Sequence, residues 1–237
     1  MRITMIGHST LLIEAAEKRI LTDPYFGLHG NPAYARLRPP ARSREELADV
    51  DLVLISHNHW DHTDRRFLRM LPSSVPVFAP TASAWMTRLK GGRNVIGLRP
   101  WQRKELDRIV ITAVPARHVT FTIGYVIEAE GQRVYFAGDT YLADFMQRIE
   151  RQLRPGVALI PVTTFRIPMT MGEKQALEAV RRLAPKVVIP IHLGITPRSF
   201  LLRTRDTAQG FRERVREAGL TPEIVILQEG ESWTAPA

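Results

Sequence analysis

His57-Asn58-His59-Trp60-Asp61-His62 sets three imidazoles and one carboxylate inside a single hexapeptide, in a chain with 7 histidines among 237 residues. From this chain's own composition such an arrangement arises by chance about once in a million windows, so it calls for a chemical reason. Side chains one and two residues apart on a loop point to opposite sides of a turn. One pair then serves one cation and the neighbouring pair a second, roughly 3.5–4 Å away, as in two-metal hydrolytic centres. The chain has no cysteine. That excludes disulfide frameworks, thiol nucleophiles and thiolate metal sites together, and leaves imidazole and carboxylate as the metal donors.

Each cation still needs ligands, because a catalytic site keeps about three protein donors and an open position for water. Three residues at the ends of apolar runs supply them. His118 follows the run 109–114, Asp139 follows Val134-Tyr135-Phe136-Ala137-Gly138, and His192 follows Val187-Val188-Ile189-Pro190-Ile191. Singly, each has an ordinary reading: a histidine near a strand end is as often structural, and an aspartate after glycine is often a turn or helix cap. Together with the hexapeptide they complete a donor set. A carboxylate has two oxygens and joins two cations, whereas a neutral imidazole has one free lone pair, so Asp139 is the natural bridge. His8 reads either as a residue contacting substrate or ligands, or as a hydrogen-bonded core histidine. Asp23 and Asp64 are candidates to accept the second ring N–H of ligand histidines, with a helix cap the stronger reading for Asp64. His29 reads as a surface histidine.

The elements that must position these residues follow from hydrophobic patterning. Short apolar-rich strands over 2–6, 10–14 and 19–22 suggest an antiparallel meander. The segment 24–44 carries Gly27, Gly30, Pro32, Pro39 and Pro40 without clean periodicity and reads as a flap beside the site. Asp51-Leu52-Val53-Leu54-Ile55 is a continuous apolar run of the kind found in a doubly buried strand, so the hexapeptide sits at the carboxyl end of that strand. Helices are expected over 64–71 and 81–89, then strands over 109–114, 123–130 and 133–136, the last two joined as a hairpin at Gly131-Gln132. Beyond them helix and strand alternate: helices over 141–152, 172–183 and 205–218, strands over 157–160, 187–190 and 224–227. An antiparallel start with a βα finish predicts a four-layer αββα sandwich. No internal sequence repeat is apparent, although each half runs from strands into helices.

In these motifs, in this order, the chain resembles the metallo-β-lactamase superfamily over essentially its whole length. The resemblance implies the αββα fold. It also implies that His57, His59 and His118 hold one metal, that Asp61, His62 and His192 hold the other, and that Asp139 bridges them. Gly7-His8-Ser9, Ile20-Leu21-Thr22-Asp23-Pro24 and Ser56 to Asp64 are similar to the branch that contains N-acyl-phosphatidylethanolamine-hydrolysing phospholipase D and the L-ascorbate-6-phosphate lactonase-like proteins. Two cations sharing a water bring its pKa toward neutrality and polarise the scissile oxygen, so no serine or cysteine nucleophile is needed. Asp61 is expected to orient that nucleophile, and Tyr141, His8 or a metal-bound water to protonate the leaving group. Zinc is the default cation; manganese or iron would suit the same thiolate-free donor set.

Composition sets the remaining bounds. With 44% hydrophobic and 24% charged residues the whole of 1–237 is expected to fold, as one domain. The N-terminal seven residues lack a signal-peptide pattern and no run reaches the roughly 18 apolar residues of a membrane span, so a cytoplasmic, soluble protein is expected. The net charge of +9 favours a small, anionic substrate. It is also what scattered arginines would give, without any binding patch. A phosphorylated or phosphodiester substrate is therefore the first expectation and a lactone or other acyl ester the alternative. Nucleic-acid processing would need basic residues clustered with aromatics, and no such cluster occurs.

Overall fold

The structure, a computed structural model, describes residues 1–236. Its first half comprises β1 (Arg2–Gly7), β2 (Thr10–Ala15), β3 (Lys18–Thr22), the short β4 (Tyr34–Arg36), β5 (Leu52–Leu54), α1 (Arg65–Met70), β6 (Val77–Pro80), α2 (Ala84–Leu89) and β7 (Val95–Leu98). The second half begins with β8 (Arg103–Leu106), β9 (Ile109–Pro115), β10 (Ile123–Ala129), β11 (Gln132–Phe136), α3 (Phe145–Leu153) and β12 (Val157–Pro161). It continues through α4 (Glu173–Leu183), β13 (Val187–Ile191), β14 (Ile195–Pro197), α5 (Ala208–Glu217), β15 (Glu223–Ile224) and β16 (Ser232–Thr234).

The strands form two seven-stranded sheets, ordered β16-β1-β2-β3-β5-β6-β7 and β15-β13-β12-β11-β10-β9-β8, with β14 and β4 paired separately. Each sheet opens with antiparallel neighbours and ends with parallel ones: β1 to β3 then β5, β6 and β7; β8 to β11 then β12, β13 and β15. The two halves are thus one topology used twice, a duplication carried by fold and absent from the sequence pattern.

Strand parity decides which layer each side chain enters. In β5, Leu52 and Leu54 face the core between the sheets, while Val53 faces the helices of the first half with Phe67, Leu68 and Ala84. In β12, Val157 and Leu159 face inward and Ala158 and Ile160 pack beneath Met146, Ala176, Ala179 and Phe211. Buried on both faces, these strands need the continuous apolar runs that make them legible in sequence. Helix α4 shows the matching 3.6-residue stripe, burying Ala176, Ala179, Val180 and Leu183. The result is the expected four-layer αββα sandwich.

Several boundaries differ from the sequence expectation. The helix expected over 141–152 starts at Phe145, because Thr140 and Tyr141 stay extended to hydrogen-bond Arg117 and Met171. The strand expected over 224–227 stops at Ile224, where regular pairing with β13 ends. Asp64 lies outside α1 and caps it, accepting from the Arg66 and Phe67 amides. The segment 24–44 contains a strand, β4, which β14 holds in antiparallel register. Six of the chain's turns matter most: those following β1, β3, β5, β9, β11 and β13 all leave the sandwich at the same edge.

Candidate metal centre

Those six turns carry His8, Asp23, the hexapeptide, His118, Asp139 and His192 in that order. Backbone hydrogen bonds across the two halves fix how the turns meet. Ile123 N donates to Ser56 O at 3.1 Å and His192 N to His8 O at 3.1 Å. The Tyr125 hydroxyl donates to Ile55 O at 2.8 Å. Gly138, just before Asp139, has φ +57, and a Cβ there would lie 2.4 Å from Ser56 Cβ. Only glycine allows the two halves to approach this closely at that backbone conformation.

The seven expected donors converge. His57, His59 and His118 can each offer one donor atom within 4.8 Å of the others, and so can His8, Asp61, His62 and His192. Asp139 lies between the two groups: Oδ1 is 3.4 Å from His62 Nε2, and Oδ2 is 3.3 Å from His192 Nε2 and 3.9 Å from His118 Nε2. His118 Nε2 and His59 Nδ1 face one another at 3.3 Å. Nearly all of these side chains are buried.

A second tier sets the tautomers. Asp23, fully buried, accepts from the Ser56 amide at 2.6 Å, from the Ser56 hydroxyl at 2.6 Å and from His62 Nδ1 at 2.7 Å. The Ser56 hydroxyl, its proton given to Asp23, accepts from His57 Nδ1 at 2.9 Å. Both histidines therefore place a proton on Nδ1 and turn Nε2 toward the cluster. His57 Nε2, His62 Nε2 and Asp139 Oδ1 are buried without a hydrogen-bond partner among the described residues. Buried imidazole nitrogens and carboxylate oxygens converging without hydrogen bonds are costly unless a cation lies among them, so the donor set fits divalent cations.

The electrostatics agree. Burial holds the pKa of His57 well below its ordinary value, and that of His118 down to about 4, against the pull of Asp139. Burial lowers His59 in the same way. These imidazoles are neutral and ready to ligate. His62 is the exception: burial opposes its charged form, but Asp139, Asp61 and Asp23 outweigh it and push the pKa up to about 10. Asp61 and Asp139 remain anionic, because the neighbouring imidazoles, His62 for the former and His192 for the latter, overcome the desolvation that would protonate them. Without metal, the proton on His62 stands in for the missing positive charge.

The other sequence candidates separate clearly. His8 is buried, its Nδ1 accepting from the Gly194 amide at 3.2 Å and its Nε2 lying 3.3 Å from Asp61 Oδ2. Burial drives its pKa down to about 3, so it is neutral. Tyr141 sits at the margin, its ring 6.1 Å from that of His118, and its hydroxyl donates to Pro168 O at 2.9 Å, away from the cluster. Asp64 pairs with Arg44 and caps α1, leaving the histidines to Asp23. His29 is exposed on the flap, as a surface histidine would be. The flap itself borders the cluster: Tyr25 packs edge-on to Trp60 at 5.4 Å, and Tyr34 lies between Trp60 at 6.2 Å and Phe165 at 5.1 Å.

Sequence reasoning passed over Ser56 and Lys90. Ser56 adjoins the hexapeptide and its adjacency was a usable signal. Lys90, at the end of α2, donates to Asn58 O at 2.6 Å, which steadies the ligand loop. Burial lowers its pKa to about 8. Nothing in the sequence links it to a loop 32 residues away.

A beta-lactamase superfamily domain profile matches residues 18–193. The chain is 33% identical to the UPF0173 metal-dependent hydrolase of Methanopyrus kandleri, covering 98% of this chain and 99% of that one. It is 31% identical to the corresponding hydrolase of Archaeoglobus fulgidus, covering 98% of each. Among solved structures, Igni18, a metallo hydrolase from Ignicoccus hospitalis, superposes with a TM-score of 0.80 at 28% identity, over 100% of this chain and 98% of that one. An isothiocyanate hydrolase from Delia radicum gut bacteria shares the fold, with a TM-score of 0.83 at 21% identity and all of both chains covered.

Proposed function

Because the chain belongs to the beta-lactamase superfamily, as a metal-dependent hydrolase of the UPF0173 kind, we propose that it hydrolyses its substrate with two divalent cations. In this reading the cations are held by His57, His59 and His118, and by Asp61, His62 and His192, with Asp139 between them. The observation that carries it is the convergence of buried donor atoms without a hydrogen-bond partner, His57 Nε2, His62 Nε2 and Asp139 Oδ1. Zinc suits these donors first, manganese or iron next. When bound, the cations supply an acidified water and a Lewis acid for the scissile oxygen. The protein's own contribution is preorganisation. Asp23 and Ser56 hold the His57 and His62 rings, and Asp61 and Asp139 provide the negative charge that keeps cations in place.

The substrate we assign is a small phosphomonoester or phosphodiester, supported by the net charge of +9 and by the Lys90 ammonium beside the ligand loop. A second reading, lactone or acyl-ester hydrolysis, draws on apolar side chains exposed on the surrounding loops, namely Leu28, Val119, Phe121 and Ile167. Gly7-His8-Ser9 and Thr22-Asp23-Pro24 support the branch with N-acyl-phosphatidylethanolamine phospholipase D and the ascorbate-phosphate lactonase-like proteins, which spans both chemistries. No helix among the described residues is long and apolar enough to cross a membrane, and we assign the protein to the cytoplasm. The test is elemental analysis of protein purified without chelator, paired with a screen of phosphodiesters, phosphomonoesters and lactones. About two transition-metal ions per chain and metal-dependent turnover are expected; one ion or none overturns the dinuclear reading.

A further inference from the structure

His8, which is outside the seven donors, touches ligands from both halves of the sandwich. Its carbonyl accepts from His192 N at 3.1 Å, holding the turn after β13. Its ring lies 3.3 Å from Asp61 Oδ2 through Nε2, against the turn after β5. The ring also packs 4.3 Å from that of His192 and 5.3 Å from that of His62, centroid to centroid. Asp61, His62 and His192 are the three residues assigned above to one of the two cations, and none belongs to the His57, His59 and His118 group.

The tautomer follows from Gly194. Its amide donates to His8 Nδ1 at 3.2 Å, so that nitrogen carries a lone pair and a neutral ring must bear its proton on Nε2. A protonated Nε2 cannot ligate a metal. It is instead a donor, 1% exposed overall and without an aligned hydrogen-bond partner among the described residues, and the Asp61 carboxylate 3.3 Å away is the charge it faces. The surrounding backbone is built for this contact. His8 has φ 62 and His192 φ 64, so both turns are left-handed where they meet. A Cβ on Gly194 would lie 2.8 Å from His8 Cβ and 3.0 Å from His8 N and Cα, so glycine is required for the ring to stay where it is.

We infer that His8 is a positioning residue, and not a ligand, for the cation held by Asp61, His62 and His192: its Nε2–H orients Asp61 while its backbone anchors His192. This inference rests on the two-metal reading above. Its consequence is selective: losing the His8 ring weakens one cation position and spares the other. Removing such an outer partner lowers metal affinity by about 10- to 100-fold.

Two variants test it. His8→Asn keeps a residue that tolerates left-handed backbone, and so the carbonyl contact to His192, while withdrawing the ring. Gly194→Ala leaves His8 in place in the sequence and displaces its ring. Zinc content and stepwise zinc affinity of each variant and the wild type are measured by competition with a chromophoric chelator, with circular dichroism confirming the fold. The expected result is about two tightly held zinc ions in the wild type. In both variants one zinc stays at wild-type affinity and the second is weakened 10- to 100-fold. Wild-type affinity at both positions in either folded variant, or equal weakening at both, overturns the inference. A wild type that binds fewer than two ions overturns the dinuclear reading itself. If His8→Asn fails to fold, Gly194→Ala decides, and imidazole added to His8→Ala must restore the second zinc.

Discussion

Asp139→Asn is the sharpest test of the site's electrostatics, because it removes one charge and almost no volume. Asp139 Oδ1 lies 3.4 Å from His62 Nε2, and His62 is held up at about 10 with Asp139 as its strongest supporting carboxylate. At an effective dielectric near 20, a unit charge at that distance contributes about 5 kcal/mol, equivalent to between three and four decades in proton affinity. The variant's His62 should therefore titrate at about 6 to 7, resolved by NMR of the imidazole protons in chelator-treated protein. A dication sharing the same space loses at least as much attraction, so the metal-replete variant should retain no more than one tightly held ion. Turnover should then fall by at least three orders of magnitude on any substrate the wild type accepts. Folding should persist, since Asp139 lies in a turn at the sandwich edge and not among the core strands. If His62 moved by less than one decade, or two ions remained at wild-type affinity, Asp139 would not be the shared carboxylate.

Other perturbations follow from the same structure. Metal binding near pH 7.5 should release at least one proton, from His62, and a further part from the acidified water, seen as a calorimetric enthalpy that tracks buffer ionisation enthalpy; no release would contradict the charged His62. The metal-free protein should be most stable around pH 6.5. Above it, the contribution of His62 is lost as pH rises, mainly up to about 8, beyond which Lys90, held down at about 8, offsets the loss; below it, His118, held down at about 4, and His8, at about 3, disfavour the fold as the unfolded chain takes up protons. A urea midpoint that rose steadily from pH 6.5 to 10 would refute this. Gly138→Ala combines a left-handed alanine with a Cβ 2.4 Å from Ser56 Cβ, and should lower unfolding free energy by about 2–4 kcal/mol at unchanged m-value. Arg36, buried in the flap, donates to Tyr25 O, Gly27 O and Arg38 O, so Arg36→Ala should cost about 2–4 kcal/mol. Shortening the exposed tip 28–32 should instead change KM with little change in thermal midpoint, and the reverse pattern would mean the flap does not border the substrate.

The donor residues were legible because coordination chemistry dictates their type and, for four of them, their spacing within one loop. The strands that present them were legible for a different reason: layers on both faces force unbroken apolar runs such as Leu52-Val53-Leu54-Ile55 and Val187-Val188-Ile189. Where one face meets solvent, that signal fades. Strand β8 reads Arg-Lys-Glu-Leu, with three exposed side chains, and pairs only because β9 offers it an edge. The four-residue strands β6 and β7 and the three-residue β4, β14 and β16 are too short for periodicity to register. The helix expected from 141 failed for a tertiary reason: Thr140 and Tyr141 give up local hydrogen bonds to tie Asp139's turn to Arg117 and Met171.

Sequence reached the tier of contacts that aims the donors only in part: it offered Asp23 and His8 as candidates, but not their partners Ser56 and Gly194. Asp23 and Ser56 lie 33 residues apart, and His8 and Gly194 lie 186 apart, yet each pair meets within hydrogen-bonding distance. Their types are not forced by coordination, only by the geometry of two duplicated halves meeting at one edge. Each half alone presents an incomplete set: the first supplies His57, His59, Asp61 and His62, the second His118, Asp139 and His192. In the proposed two-cation arrangement each cation draws ligands from both sheets, so its affinity depends on how rigidly the sheets are docked. The contacts that dock them there, Ile123 to Ser56, Tyr125 to Ile55 and His192 to His8, are thus part of the metal site without touching a metal.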